Sequence, residues 1–268
     1  MAATPDAPAK VRLYVSAALA PGGSVELEPG QVHYLLRVMR LSQGERIRLF
    51  NGCDGEWQGR LAPHGRAKVA VEVERRTRAQ DADDGPWLAF APVKKSATDF
   101  IVEKATELGA ARILPVLTER TIAQRVNVER LQATATEAAE QCGRLSVPEV
   151  AAPLTLPSFV AMWPAQRPLC VAHPQARDAA LPLLDALTGP ASASALPAGF
   201  LVGPEGGLTS VELDGLAALR CVKVVSLGTR TLRAETAAVA VLAVWQALNE
   251  RSCAAATPPH FKDNPGQA

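Results

Sequence analysis

Cysteine and histidine are scarce in this sequence of 268 residues. The five cysteines are widely spaced, odd in number and form no C-x-x-C pair, which argues against a disulfide framework and against a zinc site. The four histidines are scattered as well. We therefore expect reduced structural thiols and no bound metal.

Long apolar stretches are also missing. No uninterrupted apolar run approaches the roughly 18 residues that suggest a membrane span, and Met1–Lys10 has no charged-then-apolar signal pattern. Hydrophobic residues make up 48% of the chain and charged residues 21%, as in soluble globular proteins. The sequence thus predicts a cytoplasmic protein with no membrane partner.

Aromatic residues amount to only 4%, so stacking platforms for nucleic-acid bases are few. The net charge of +1 says nothing about nucleic acid by itself, but its distribution is uneven. Residues 1–80 hold 12 Lys and Arg against 8 Asp and Glu. This basic segment favours a polyanion-binding module about as strongly as it favours ordinary surface charge.

The chain divides into two patterns. Residues 11–78 contain short alternating runs separated by glycine turns, with a helical spacing over 32–40, and predict a small β-barrel. Residues 79–86 are acidic and polar and predict a linker.

Beyond the linker, apolar strands alternate with helices, and the longest amphipathic helix runs over 234–251. This alternation predicts an α/β domain with a mostly parallel sheet and helices on both faces. We expect domains at 1–80 and 87–251 and a disordered tail at 252–268.

Two stretches near the carboxyl end each predict a strand that ends in a glycine loop and turns into a helix. They are Leu201–Thr209 (LVGPEGGLT) and Leu227–Ala237 (LGTRTLRAETA). Thr209 and Glu212 have the spacing of a capping box. Two such loops side by side predict one pocket at the ends of parallel strands. Neither loop has a Walker or G-x-G-x-x-G motif, so a ligand without phosphates is favoured.

Six segments in a fixed order carry a resemblance to a known family. They are residues 33–40, 102–109, 119–121 (ERT) and 137–144, the GPEGGLT loop and the LGTRTLRAETA segment. Together they resemble the ribosomal RNA small subunit methyltransferase E family, in the SPOUT class of S-adenosylmethionine-dependent RNA methyltransferases.

The resemblance implies an N-terminal PUA-like β-barrel and a SPOUT domain with a C-terminal trefoil knot. It also implies a homodimer, S-adenosylmethionine as methyl donor without a metal, and 16S rRNA or the small ribosomal subunit as partner. The implied product is 3-methyluridine.

Within this family reading, a phosphate-free donor suits backbone groups and apolar walls of the two loops. The residues expected to bind it are His173, Leu201, Gly203, Glu205, Gly207, Leu227, Gly228, Leu232 and Thr236. For His173, a purely structural role is an open alternative.

For catalysis we expect Arg233, or Arg230 beside it, to stabilise negative charge on the uracil ring, because guanidinium stays protonated. Glu235 or Glu205 is placed to accept the proton. The alternative for both carboxylates is that they only favour the helix dipole.

The RNA-binding candidates are basic residues, and Arg37 and Arg40 form the better case because they lie one helical turn apart. Phosphate contacts from such residues give salt-dependent affinity. The set is Arg12, Arg37, Arg40, Lys94, Lys95 and Arg144.

Two further functions stay open on the sequence. One is a SPOUT methyltransferase acting on tRNA or on a ribose 2'-hydroxyl. The other is a catalytically inactive RNA-binding factor in ribosome assembly. The intact glycines of both loops, together with Arg233 and Glu235, argue against this alternative.

Overall fold

The computed structural model describes residues 9, 11–64, 68–82, 84–123, 125–173, 180–188 and 198–256. Its strands are β1 (Arg12–Tyr14), β2 (Ser24–Glu26), β3 (Arg46–Phe50), β4 (Glu56–His64), β5 (Lys68–Arg78), β6 (Trp87–Phe90), β7 (Arg112–Leu117), β8 (Glu149–Val150), β9 (Leu154–Thr155), β10 (Leu169–Ala172), β11 (Leu181–Pro182), β12 (Gly199–Val202) and β13 (Val222–Ser226). Its α-helices are α1 (Pro29–His33), α2 (Lys95–Glu107), α3 (Val128–Cys142), α4 (Leu156–Met162), α5 (Leu183–Thr188), α6 (Ser210–Ala217) and α7 (Ala234–Ala256).

The chain forms two compact units. The first unit comprises Met1–Asp84 and Asn127–Val150, and the second comprises Gly85–Val126 and Ala151–Ala268. Helix α3, which follows the predicted linker in sequence, is therefore part of the first unit. The described residues of the predicted linker contain neither helix nor strand.

The first unit is built on a five-stranded sheet in the order β1-β3-β4-β5-β2. Strand β1 is parallel to β3, and the other pairs are antiparallel. Alternate residues of these strands point to one side, where Leu13, Ile47, Leu61 and Val71 join a common apolar core. The predicted small β-domain is confirmed in this form.

The second unit holds a parallel sheet whose described strands run in the order β11-β13-β10-β12-β6-β7, with β9 paired to β7. Helices α4 and α6 cover one face, where Phe159 and Leu216 pack into the core. Helices α2 and α7 contact each other, and α7 also contacts β6 and β12. Apolar residues in buried parallel strands need cover on both sides, so the predicted α/β layering is confirmed.

Two helical predictions differ from the structure. Helix α1 widens into a π-helix at Tyr34–Val38 and ends there, and Arg40 lies beyond it with a φ of 55°. Arg37 and Arg40 are therefore not successive turns of one helix. At the other end, α7 continues to Ala256, so residues 252–256 of the predicted tail are helical, and residues 257–268 lie outside the described part.

None of the helices within the described residues is both long and apolar enough to cross a lipid bilayer. The trefoil knot implied by the resemblance stays a prediction.

Candidate active site

The candidate site begins where three neighbouring strands end in register. Ala172 of β10 lies opposite Val202 of β12 on one side and opposite Val225 of β13 on the other. The backbone N–H of His173 continues this register by donating to the Val225 carbonyl over 3.2 Å. Because the strands are parallel, the segments that follow them emerge at the same edge of the sheet.

The segment after β12 is a tight turn followed by a capped helix. Gly207 has a φ of 71° and donates its N–H to the Pro204 carbonyl over 2.8 Å. Thr209 then caps α6 by accepting from the Glu212 N–H, while the Glu212 carboxylate accepts from the Thr209 N–H over 2.9 Å. The predicted capping box is confirmed, and it fixes the exit of the loop.

This first loop is also held from outside by the segment that follows β7. The second carboxylate oxygen of Glu212 accepts from the Glu119 N–H over 2.8 Å, and Arg120 Nη1 donates to the Gly206 carbonyl over 2.8 Å. Thr118 and Thr121 form a buried hydroxyl pair behind these contacts. The ERT segment, which the sequence offered only as part of a resemblance, thus anchors the glycine loop.

The segment after β13 forms the second loop. Gly228 has a φ of 110°, a region that residues with a side chain rarely adopt. Its N–H lies 3.3 Å from the Ser226 hydroxyl, which accepts the bond. The loop ends where the Ala237 N–H donates to the Arg233 carbonyl over 2.8 Å and α7 begins.

Both loops and the end of β10 line one cavity that opens to solvent, with about 650 Å³ of empty space when that solvent is included. The walls combine apolar side chains, exposed backbone and a few polar groups: Ala172, His173, Val202, Gly203, Pro204, Glu205, Gly207, Leu208, Ser226, Leu227, Gly228, Arg230, Thr231, Leu232, Ala234 and Ala237. The predicted pocket of two loops is confirmed in its geometry.

His173 contributes an unsatisfied polar atom to this cavity. The residue is buried, and within the described structure its Nδ1 atom has no hydrogen-bond partner. Burial lowers the pKa of the imidazole below its ordinary value of 6.5, so the ring is neutral at physiological pH. His173 is therefore a cavity-lining residue with an unused hydrogen-bonding atom, which is unusual because buried polar atoms are normally paired.

Comparison with known proteins places the chain in a family. A family model described as an RNA methyltransferase domain matches residues 85–246, and one described as an RNA methyltransferase PUA domain matches residues 27–74. A ribosomal RNA small subunit methyltransferase E from Rickettsia conorii is 31% identical over 87% of this chain and 93% of its own length. The protein of the same name from Synechocystis is 38% identical over 85% of this chain and 74% of its own.

The chain belongs to the ribosomal RNA small subunit methyltransferase E family.

The family fold is also seen in a solved structure. A ribosomal RNA small subunit methyltransferase E from Neisseria gonorrhoeae, bound to S-adenosyl methionine, superposes with a TM-score of 0.77 at 29% identity, covering 89% of this chain and 97% of that one. The PUA and methyltransferase parts implied by the sequence resemblance are thus confirmed.

Most of the residues predicted to bind the methyl donor line the cavity. His173, Gly203, Glu205, Gly207, Leu227, Gly228 and Leu232 line it, and so does Arg230. Leu201 does not, because its side chain is fully buried in the core of the sheet. Thr236 is exposed on α7, Arg233 is exposed, and Glu235 is half-buried, all three outside the wall.

The predicted RNA contacts fall into two groups. Arg37, Arg40, Lys94 and Lys95 are exposed. Arg144 is half-buried, and its Nε donates to the Ser146 hydroxyl over 2.9 Å.

Arg12 is the clear departure from prediction. Its side chain is only 9% exposed, Nε donates to Glu56 over 2.7 Å, and the other two nitrogens donate to the carbonyls of Ala139 and Arg144. The guanidinium carbon lies 3.7 Å from the centre of the Phe50 ring. All three guanidinium nitrogens donate to partners inside the first unit, so this geometry does not support Arg12 as an RNA contact.

Sequence reasoning missed several wall residues, among them Ala172, Leu208 and Ser226. Ala172 and Ser226 are the last residues of their strands, and this position could have indicated that they line a pocket at the strand ends. The missing information was the order of the strands, which places β10 between β12 and β13.

Proposed function

We propose that this protein is an S-adenosylmethionine-dependent methyltransferase that modifies the ring imide nitrogen of a uridine in 16S rRNA to give 3-methyluridine. The observation that carries the proposal is the cavity that both glycine loops and His173 line at the ends of three parallel strands. The solved relative from Neisseria gonorrhoeae, which shares this fold, holds S-adenosyl methionine.

The residues present fit that donor. Val202, Leu208 and Leu232 offer apolar surface for an adenine ring, and the backbone at Gly203 and Gly228 offers hydrogen-bonding groups. Glu205 is the acidic residue among those that line the cavity, and its negative charge suits a cationic donor. The neutral His173 ring supplies one more polar atom, which a ligand or an ordered water satisfies.

When bound, S-adenosylmethionine supplies a methyl group carried on a positively charged sulfur. The chain's own residues then have to align the acceptor base and stabilise the charge that develops on it. The imide nitrogen of uracil is a poor nucleophile until its proton leaves, and the negative charge then spreads to the two carbonyl oxygens.

A guanidinium beside the second loop is suited to that charge. Arg230 reaches the wall of the cavity, while Arg233 lies three residues further along and is exposed. Either one donates hydrogen bonds to a carbonyl oxygen without losing its own charge. Glu205 or Glu235 accepts the imide proton, directly or through water.

The proposal includes 16S rRNA or the small ribosomal subunit as partner. It also includes the homodimer and the knot implied by the family resemblance. Light scattering of the purified protein tests the dimer, for which the expected mass is twice the chain mass of 28.3 kDa.

Two measurements test the activity. Titration calorimetry with S-adenosylmethionine is expected to show binding, and no detectable heat would rule out the enzyme. Nucleoside analysis of 16S rRNA from cells that lack the gene is expected to show loss of 3-methyluridine, and an unchanged amount would remove this target.

A further inference from the structure

Besides Arg12, whose buried side chain donates to the Ala139 carbonyl of α3, four arginines occupy the outer face of the sheet in the first unit. On β3, Ile47 and Leu49 are fully buried on the core side of the sheet. Because side chains alternate along a strand, Arg46 and Arg48 point to the opposite side. On β4, Arg60 has the same orientation because Leu61 is buried. The side chains of Arg48 and Arg60 are each 41% exposed.

A β-bulge adds the fourth arginine to this face. Gln58 pairs with Arg75, whereas the next residue of β4, Gly59, pairs with Val73, so Glu74 is an extra residue in β5. The Gln58 amide then binds both neighbours, donating to Glu74 over 3.0 Å and accepting from Arg75 over 3.2 Å. The bulge and Gln58 together hold Arg75 on the outer face.

The positive charge of this face is only partly neutralised. Arg46 and Arg60 share one carboxylate, Glu74, at 3.2 Å and 3.0 Å. Arg48 lies 3.8 Å from Glu56, but that carboxylate already accepts from Arg12 over 2.7 Å. Arg75 is bonded to a neutral amide.

We propose that this arginine face, formed by Arg46, Arg48, Arg60 and Arg75, binds the phosphate backbone of ribosomal RNA, with Arg48 and Arg75 as the direct phosphate contacts. The proposal rests on the proposed function, because it assigns a surface to the same RNA substrate. Arg46 and Arg60 form ion pairs with Glu74. Among the described residues, Arg48 and Arg75 have no carboxylate of their own and therefore carry the positive charge that is not neutralised.

Geometry favours a repeating anion. Residues two apart on a strand are separated by about 6.6 Å and neighbouring strands by about 4.8 Å, so the Cα atoms of these arginines are regularly spaced. Guanidinium matches phosphate with two parallel hydrogen bonds.

An acidic protein is the rival partner, and the composition of the face disfavours it. Protein interfaces have apolar and aromatic centres. The outward residues around these four arginines are Gln58, Glu72 and Glu74, and the aromatic residue on that side of β3, Phe50, is fully buried.

The test is equilibrium binding of a short fluorescein-labelled RNA duplex, measured by anisotropy over a range of salt concentrations. The variant carries Arg48→Gln and Arg75→Gln. Loss of two phosphate contacts is expected to weaken binding about tenfold or more near 0.1 M salt and to reduce the slope of log K against log salt by about 1.5. Donor binding and the thermal midpoint are expected to stay unchanged.

The matched control carries Arg125→Gln and Arg220→Gln, which remove the same charge from exposed sites in the second unit. It is expected to bind RNA within about twofold of wild type. Equal losses in the two double variants would overturn the proposal, because net charge alone would then explain the effect.

Two further arms keep the result interpretable. Arg48→Lys with Arg75→Lys retains the charge and is expected to recover most of the salt slope, and it replaces the glutamine variant if that one does not fold. Loss of binding to polyglutamate with unchanged RNA binding would assign the face to an acidic protein instead. If wild type binds RNA through this face but makes no 3-methyluridine, the proposed function fails while the binding surface stands.

Discussion

Arg120 Nη1 donates a hydrogen bond to the carbonyl oxygen of Gly206 over 2.8 Å, and this bond ties the segment after β7 to the loop that forms one wall of the cavity. A Cβ atom on Gly206 would lie 3.3 Å from the Cβ of Arg120 and 3.4 Å from its Cδ. The arginine stem therefore packs against the glycine as well as bonding to it. Because Arg120 is exposed, it contributes little to the stability of the fold, and its main role is to fix the position of the loop.

Arg120→Ala is therefore expected to raise the dissociation constant of S-adenosylmethionine about fivefold, as the loss of one hydrogen bond of roughly 1 kcal/mol loosens the loop. The thermal midpoint is expected to change by no more than about 2 °C. Calorimetry and thermal melts measure the two effects. Arg220→Ala, an exposed arginine outside the cavity wall, is the control, and equal donor affinity in both variants would contradict the positioning role.

Arg233→Ala is expected to lower the single-turnover rate about a hundredfold or more, which is the usual effect of removing one group that stabilises transition-state charge. Donor affinity is expected to stay within about twofold. Arg230→Ala is the paired measurement, because Arg230 lines the cavity and Arg233 does not. A normal single-turnover rate with weakened donor binding in Arg233→Ala would show that its catalytic assignment is wrong.

Gly228 and Gly215 give a matched pair of substitutions. Gly228→Ala forces a side chain into a φ of 110° and is expected to cost about 2 kcal/mol of unfolding free energy and to weaken donor binding. Gly215 lies inside α6 with nothing within 4 Å of an added Cβ, so Gly215→Ala is expected to stabilise the protein by about 0.5–1 kcal/mol. Urea denaturation measures both, and stabilisation by Gly228→Ala would contradict the conformational argument.

The parts of the fold that the sequence predicts well depend on neighbouring residues. The capping box of Thr209 and Glu212 was predictable because a cap involves residues only three apart in the sequence. Helix α4 was missed, although Thr155 caps it and Pro157 stands in its first turn, where the lost N–H costs nothing. Pro157 marks the start of this helix, but proline is equally common in loops, so the residue alone did not predict a helix.

The parts of the site that were missed depend on strand order and on distant contacts. Ala172 and Ser226 were missed because they reach the cavity only through the position of β10 between β12 and β13, and the order of strands along the chain does not show which strands pair. Arg12 is buried because α3, more than a hundred residues later, brings the Ala139 carbonyl to it. The π-helix at Tyr34–Val38 similarly separates Arg37 from Arg40, which ideal helical spacing would place together.

Arg12→Met is expected to lower the unfolding free energy by about 3 kcal/mol at neutral pH, because it leaves Glu56 charged and buried without its main partner. In the wild type, burial would raise the pKa of Glu56, but hydrogen bonds from Arg12 and Thr77 and nearby positive charges outweigh burial and lower the pKa below 4.5. The ion pair therefore stabilises the protein above about pH 4.5, and this stabilisation is lost as the pH falls.

Urea denaturation at neutral and acidic pH tests this expectation. The difference between wild type and Arg12→Met is expected to shrink on acidification, because the unpaired carboxyl takes up a proton. Arg60→Met is the control: its ion pair with Glu74 is more exposed and is expected to contribute less than about 1 kcal/mol. An effect of Arg12→Met no larger than that of the control would contradict a structural role.

The lowered pKa of His173 leads us to expect that both the stability of the protein and its affinity for the methyl donor depend on pH. Because burial lowers its pKa below 6.5, the unfolded chain binds the proton more readily than the folded one. The folded state is therefore unaffected above about pH 6.5 and loses stability as the pH falls below that value. Donor affinity is expected to fall at lower pH still, where the folded ring itself takes up a proton and adds positive charge to the wall of the site for a cationic donor.

His173→Asn removes the titration while keeping a polar group close to the position of Nδ1. This variant is expected to show a smaller loss of thermal midpoint between pH 7.5 and 5.5 than the wild type, and a donor affinity that changes less with pH. His33→Asn, which replaces an exposed histidine outside the cavity, is expected to retain the wild-type pH dependence. If His173→Asn and wild type lose stability and affinity equally on acidification, the titrating group lies elsewhere and the neutral imidazole is not part of the donor site.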